Sequence, residues 1–132
     1  MNKLKVAAIA LGVFTGLSGA SHGPGEMLQG NVAPNSIVFQ AWPSLTAVGG
    51  EPAMSIIPNF LVTGILTIIV GVLLAVWAAK FISSKHSGSV LVLLSIVMLL
   101  VGGGIIPPLF GFAAGLVAAI FNYRTAKNEG GN

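Results

Sequence analysis

Cysteine is absent from this chain, which removes disulfides, thiolate nucleophiles and cysteine metal sites together. Charge is nearly as scarce. Asp, Glu, Lys and Arg make up 7% of the residues, where a soluble domain carries roughly a quarter, so the chain has too little charge to cover a water-facing surface. The six basic residues stand singly and outnumber three acidic ones. They form no cluster of the kind that phosphate recognition needs, so the basic balance does not point to nucleic acid. Phosphate-binding loops, zinc signatures and nucleophile–base pairs are also missing, which argues against an enzyme and against a bound cofactor.

What the chain has in abundance is apolar sequence: 55% of its residues are hydrophobic and the mean hydropathy is +0.94. Four apolar segments stand out, at residues 6–20, 56–79, 89–101 and 109–121. A helix rises about 1.5 Å per residue, so the second segment alone spans a hydrocarbon core of about 30 Å. The third and fourth reach that length only by borrowing from the stretch VGGGIIPPLFGFAAG between them. The expected fold is therefore an all-α polytopic membrane bundle of four spans, or three if the first segment is a cleaved signal peptide.

The Gly/Pro stretch predicts a turn. One helix running from 89 to 122 would be about 50 Å long, far beyond the apolar thickness. Gly102, Gly103 and Gly104 can take the positive φ that ends a helix. Pro107 and Pro108 bias the residues before them away from helical ψ, so an extended step is expected at Ile106 and Pro107, with Pro108 opening the next helix. A rival reading makes the glycines a backbone nest for an anion. The prolines remove donors and no charge lies nearby, so the tight hairpin is preferred.

Charge placement agrees with a hairpin. It puts Lys80, Lys85, Arg124 and Lys127 on one side, and Lys3 and Lys5 join them if the first segment crosses once. The long segment 21–55 carries only Glu26 and Glu51. That is a positive-inside pattern, with the C-terminus cytoplasmic and residues 21–55 external. Trp77 near Lys80, and Tyr123 beside Arg124, suit the membrane interface as aromatic and basic anchors. The chain thus divides into residues 1–20 (transmembrane helix or signal peptide), an external Pro/Gly-rich loop 21–55, a transmembrane bundle 56–123 and a cytoplasmic tail 124–132.

Two readings of the first segment stay open. Its basic start, apolar middle and Ser18-Gly19-Ala20 resemble a signal peptide. Alternatively Ala8, Gly12, Gly16 and Ala20, four apart, make a smooth face for helix packing. The same spacing joins Thr67, Gly71, Ala75 and Ala79 in the second segment, and Gly111, Gly115 and Ala119 in the fourth. The third segment is nearly all Leu, Val and Ile, and is expected to face lipid.

Candidate chemistry is sparse. His22 and Glu26 in HGPGE are two candidate metal ligands, short of the roughly four that a closed site uses, so no metal is expected. No ionisable residue falls inside the four apolar segments, which argues against proton coupling. Residues 36–42, SIVFQAW, suit a short strand or a surface segment.

The stretches PAMSIIPNFLVTGIL and VGGGIIPPLFGFAAG resemble segments of small multi-pass membrane proteins of prokaryotes, over residues 51–120. That resemblance implies a membrane location and no particular activity. Small multidrug transporters are similar in length and span count, but the glutamate of their first helix has no counterpart within residues 6–20. The expected role is non-enzymatic: an accessory or scaffold subunit packing on itself or on a larger membrane complex. The alternative is a homo-oligomeric channel or facilitator for a small neutral solute.

Overall fold

A computed structural model describes residues 2–43 and 51–131. Helix α1 (Lys3–Ala20) opens on Asn2, whose side chain accepts from the Leu4 amide at 2.8 Å. Only Ser21, itself at helical dihedrals, separates α1 from α2 (His22–Met27). The two run on as one apolar rod of 25 residues. This corrects the expectation that helix ends with residue 20 and gives way to loop. Pro24 is the third residue of α2, so its missing N–H costs α2 itself no bond, and within the continuous rod it is the Ala20 carbonyl that loses a donor.

Two short strands follow, β1 (Val38–Gln40) and β2 (Pro52–Met54), paired antiparallel with Phe39 opposite Ala53. Helix α3 (Phe60–Phe81) starts at Asn59, whose side chain accepts from the Val62 amide at 3.0 Å. Helix α4 (Ser87–Val101) ends at Gly102, with φ +110°, and the Gly103 amide returns to the Met98 carbonyl at 2.9 Å. Helix α5 (Ile106–Gly130) completes the chain.

Both prolines lie inside the first turn of α5. The extended step expected at Ile106 and Pro107 is replaced by helix from Ile106 onward. The first-turn amides of any helix lack partners, so two consecutive prolines lose nothing there. The reversal is made before them instead, by Gly102 and by Gly104 at φ +91°. At the other end α5 continues to Gly130, so the tail from residue 124 is helical.

The protein is mostly helical. Three stretches are long and apolar enough to cross a membrane: Lys3–Met27, Phe60–Phe81 and Ile106–Gly130. Helix α4, at 15 residues, is shorter, about 22 Å. Helix α1 packs on α3 and α5, and α4 packs on α5 and α3. Leu74, Ala78, Leu91, Met98, Ala114 and Ala118 are completely buried between them. Ile65, Ile69, Val72 and Val76 of α3 face outward, an apolar exterior suited to hydrocarbon.

Small residues set the seams. A Cβ on Gly16 would meet the Gly71 carbonyl and lie 2.6 Å from the Ala75 amide, and one on Gly12 would meet Ala78. Gly111 sits against Ser95 and Thr15, and Gly115 against Val92 and the Gly88 carbonyl. Helix α4 therefore does not simply face lipid, as its Leu/Val/Ile content led us to expect. Ser87, Gly88, Leu91, Ser95 and Met98 line one buried stripe, two of whose members precede the apolar run that marks the segment in sequence.

At the tail end, the Asn122 side-chain amide donates to the Ser84 carbonyl at 3.0 Å and to Ser87 Oγ at 2.8 Å, tying α5 to the α3–α4 turn. Trp77 packs on Phe81 with ring centroids 5.0 Å apart, while Lys80, Tyr123 and Arg124 are exposed there.

Candidate functional site

The polar groups of this bundle gather at its loop end. Positions 8, 12, 16 and 19 of α1 are buried, and the same helical stripe continues through His22 and Glu26 of α2. Because α2 extends the rod, that stripe carries an imidazole and a carboxyl into the seam between α1, α3 and the Gly102 turn. Gly23 permits this: it lies backbone to backbone against Gly64 of α3, where a Cβ would come 2.6 Å from the Gly64 carbonyl oxygen. Gly25 makes a similar close approach to Ala41 and the Trp42 ring.

Glu26 is fully buried. The single hydrogen of Thr67 Oγ1 is shared between Glu26 Oε2 at 3.2 Å and the nearer Val101 carbonyl at 2.9 Å. Glu26 Oε1 is buried with no hydrogen-bond partner among the described residues. The carboxyl rests against Gly102, where α4 ends. The C-terminal end of a helix carries partial negative charge, so a bare carboxylate here faces unfavourable company. Charge balance at this point favours a positive partner, a proton or a cation.

His22 lies one turn earlier on the same face. Its Nδ1 is 2.9 Å from the Ser18 carbonyl, which can only accept, so Nδ1 carries a hydrogen. Nε2 faces Glu51 Oε2 at 3.2 Å, with the His22 side chain 4% exposed and that of Glu51 48% exposed. Phe14, Ser18, Ile106, Pro107 and Phe110 complete a cleft of about 160 Å³ around this pair. Gly104 is pressed against the imidazole: a Cβ there would sit 2.7 Å from Nε2. Glu51, His22 and Glu26 thus step from half-exposed to fully buried.

A hydroxyl pair supports the site from the α3 side. Ser55 Oγ and Thr63 Oγ1 are 2.7 Å apart and both are buried. The Ile56 amide donates to the Leu100 carbonyl at 2.9 Å. Segment 51–58 therefore supplies partners to the end of α4, whose last carbonyls have none within the helix. Outside it, Gln29 Nε2 donates to the Gln40 carbonyl at 2.9 Å and Trp42 Nε1 to the Ser21 carbonyl at 2.9 Å, folding the loop down over α2.

The two residues singled out as metal ligands are thus brought to one face but not to one point: His22 turns to Glu51 and Glu26 to Thr67. Among the described residues no three His, Cys, Asp or Glu side chains converge on a metal site. The first apolar rod extends past residue 20 to Met27, so it includes both His22 and Glu26. Glu51, Thr63, Thr67 and Ser55 went unnoticed as a group. The one available signal was the three- and four-residue spacing 12, 16, 19, 22, 26, which carries the small-residue face of α1 onward. The six packing residues Gly12, Gly16, Gly71, Ala75, Gly111 and Gly115 all make contacts within the chain. Comparison with protein-family models, with curated proteins and with solved structures found no match.

Proposed function

We propose that this is a non-enzymatic, four-span protein of the cytoplasmic membrane that binds a small monovalent cation at its outer end and facilitates that ion's passage. In this reading α1, α3, α4 and α5 each cross the bilayer and residues 102–108 hold the last two in a tight hairpin. The basic residues at the tail end lie in the cytoplasm, as the positive-inside pattern asks. The loop end, with Glu51 at its mouth, then faces outward.

One observation carries the reading: Glu26 is wholly buried in an apolar rod, with one oxygen unpartnered, against the broken end of α4. Ionisable groups in such places are costly and serve ion or proton pathways. Carbonyls at the end of an interrupted helix are a recurrent cation-coordinating device in membrane carriers. Thr67 Oγ1 and the Val101 carbonyl stand beside the carboxyl as further oxygen ligands. A single buried carboxylate suits a proton or a sodium-sized ion better than a divalent metal, which draws on more ligands. This departs from the neutral-solute facilitator suggested by sequence.

The accessory role keeps one observation in its favour. The groove between α4 and α5 is floored by Gly88, Gly115 and Ala119 and is open to a foreign helix.

The experiment is ion flux in liposomes containing the purified chain, comparing it with Glu26→Gln, which preserves shape and removes the charge. Sodium or proton flux above protein-free vesicles, lost in the variant, supports the proposal. Equal flux in the two proteins refutes it.

A further inference from the structure

The groove between α4 and α5 does not end in hydrocarbon. Its apolar part, about 470 Å³, is walled by Val92, Leu93, Ile96, Phe112 and Leu116. At Gly88, Ser89 and Ala119 it opens into a second cavity of about 410 Å³ at the tail end. The groove exists because α4 and α5 touch at their glycines: a Cβ on Gly88 would lie 2.5 Å from the Gly115 carbonyl oxygen. Lys85 and Glu129 both line the tail-end cavity, and among the described residues neither is paired with an opposite charge. One elongated site is therefore apolar along about two helical turns and carries one positive and one negative group at its mouth.

We propose that this groove is a binding site for a phospholipid whose headgroup bears both a phosphate and a primary ammonium, as phosphatidylethanolamine does. The acyl chain lies along Val92, Ile96 and Leu116, where no polar group has to be satisfied. Lys85 meets the phosphate as a point charge, and Ser89 adds a hydroxyl. Glu129 accepts from the ammonium, which has three N–H donors. The charge pattern discriminates among lipids. An anionic headgroup without an ammonium leaves Glu129 facing negative charge, and a trimethylated one offers Glu129 no donor. A foreign helix is a poorer occupant, since the mouth would set two opposite charges against its backbone. The inference rests on the four-span placement of the proposed function and not on the Glu26 site.

The test is lipid retention by the purified full chain, measured by native mass spectrometry after exchange into equimolar phosphatidylethanolamine, phosphatidylglycerol and phosphatidylcholine. We expect phosphatidylethanolamine to be retained about three- to five-fold over either of the others, the size expected of exposed charge contacts. Lys85→Gln should lose the preference, and Glu129→Gln should move it toward phosphatidylglycerol. Both residues are exposed, so both variants fold, and matched melting temperatures check that. Equal retention of the three lipids overturns the proposal, as does a preference that survives both substitutions. A stoichiometric protein partner that fills the groove and excludes lipid also overturns it. Loss of flux in Glu26→Gln leaves these outcomes unchanged, so the two proposals fail separately.

Discussion

Gly102 and Glu26 are fitted to one another: a Cβ built on Gly102 would stand 2.7 Å from one carboxyl oxygen and 2.8 Å from the other. The glycine is needed twice, since its φ of +110° is one that side-chain-bearing residues rarely adopt. Gly102→Ala should therefore cost about 1–3 kcal/mol in backbone strain alone and more from the displaced carboxyl. Adding Glu26→Ala should recover the carboxyl's part and leave both the backbone strain and the crowding of the new Cβ against Thr63 Cγ2. Thermal unfolding in detergent of the two single variants and the double variant measures this. An additive cycle would show that the two residues do not sense each other.

The α4–α5 seam gives a second comparison. Gly111→Ile with Gly115→Ile pushes side chains into Ser95, Val92 and the Gly88 carbonyl. Lipid supplies no hydrophobic penalty to hold parted helices together, so close packing should be lost outright. Pro107→Ala with Pro108→Ala should hurt far less, because the first-turn prolines replace no hydrogen bond and the reversal belongs to Gly102 and Gly104. Melting temperatures at matched expression rank the pair, and a less stable proline variant reverses the argument.

At the tail end, Asn122→Ala removes the amide that serves the Ser84 carbonyl and Ser87 Oγ. The expected loss is about 1–3 kcal/mol, from the bonds removed and the acceptors left unsatisfied. It should register as faster proteolysis at residues 82–87. An unchanged cleavage rate there would mean that the turn holds without this tether.

Topology is the fourth expectation. A reporter fused after Asn132 should read cytoplasmic and one inserted near Gly30 external. Because α1 supplies the partner surface for Gly71 and Ala75, the purified protein should still yield peptides from residues 3–20 on mass spectrometry. An external C-terminal reporter would remove the basis for the four-span arrangement.

The long elements were legible because each is an apolar run of helical length, and the glycine turn because only glycine takes positive φ cheaply. The candidate site was harder to read. HGPGEM looks like a helix breaker, yet its proline costs the rod a single bond, one turn from where Ser21 already divides α1 from α2. Its glycines serve contact with Gly64 and Trp42 rather than freedom of the chain. Sequence shows which residues break helices. It does not show whether a neighbour will sit where the missing Cβ would be. The pairing of Glu51 with His22 joins residues 29 apart in sequence and follows no local period, so it had no signature to find. Residues 44–50, within the segment expected from sequence to be an external loop, lie outside the described structure.

On the proposed four-span placement, Glu26 lies level with the end of α4, a helix shorter than the hydrocarbon core, and this has an electrical consequence. A cation arriving from the loop end would pass beside Glu51 and His22 and cross little of the membrane field before reaching the carboxyl. Beyond it, the distance to the lysines at the tail end is filled by the packed apolar core of Leu74, Leu91 and Met98, and on that placement it would take most of the voltage drop. A charge pays about 2.3 kcal/mol per 100 mV across that distance. Occupancy of Glu26 should therefore follow external ion concentration and be almost blind to membrane potential, whereas release toward the lysines should be steeply driven by it.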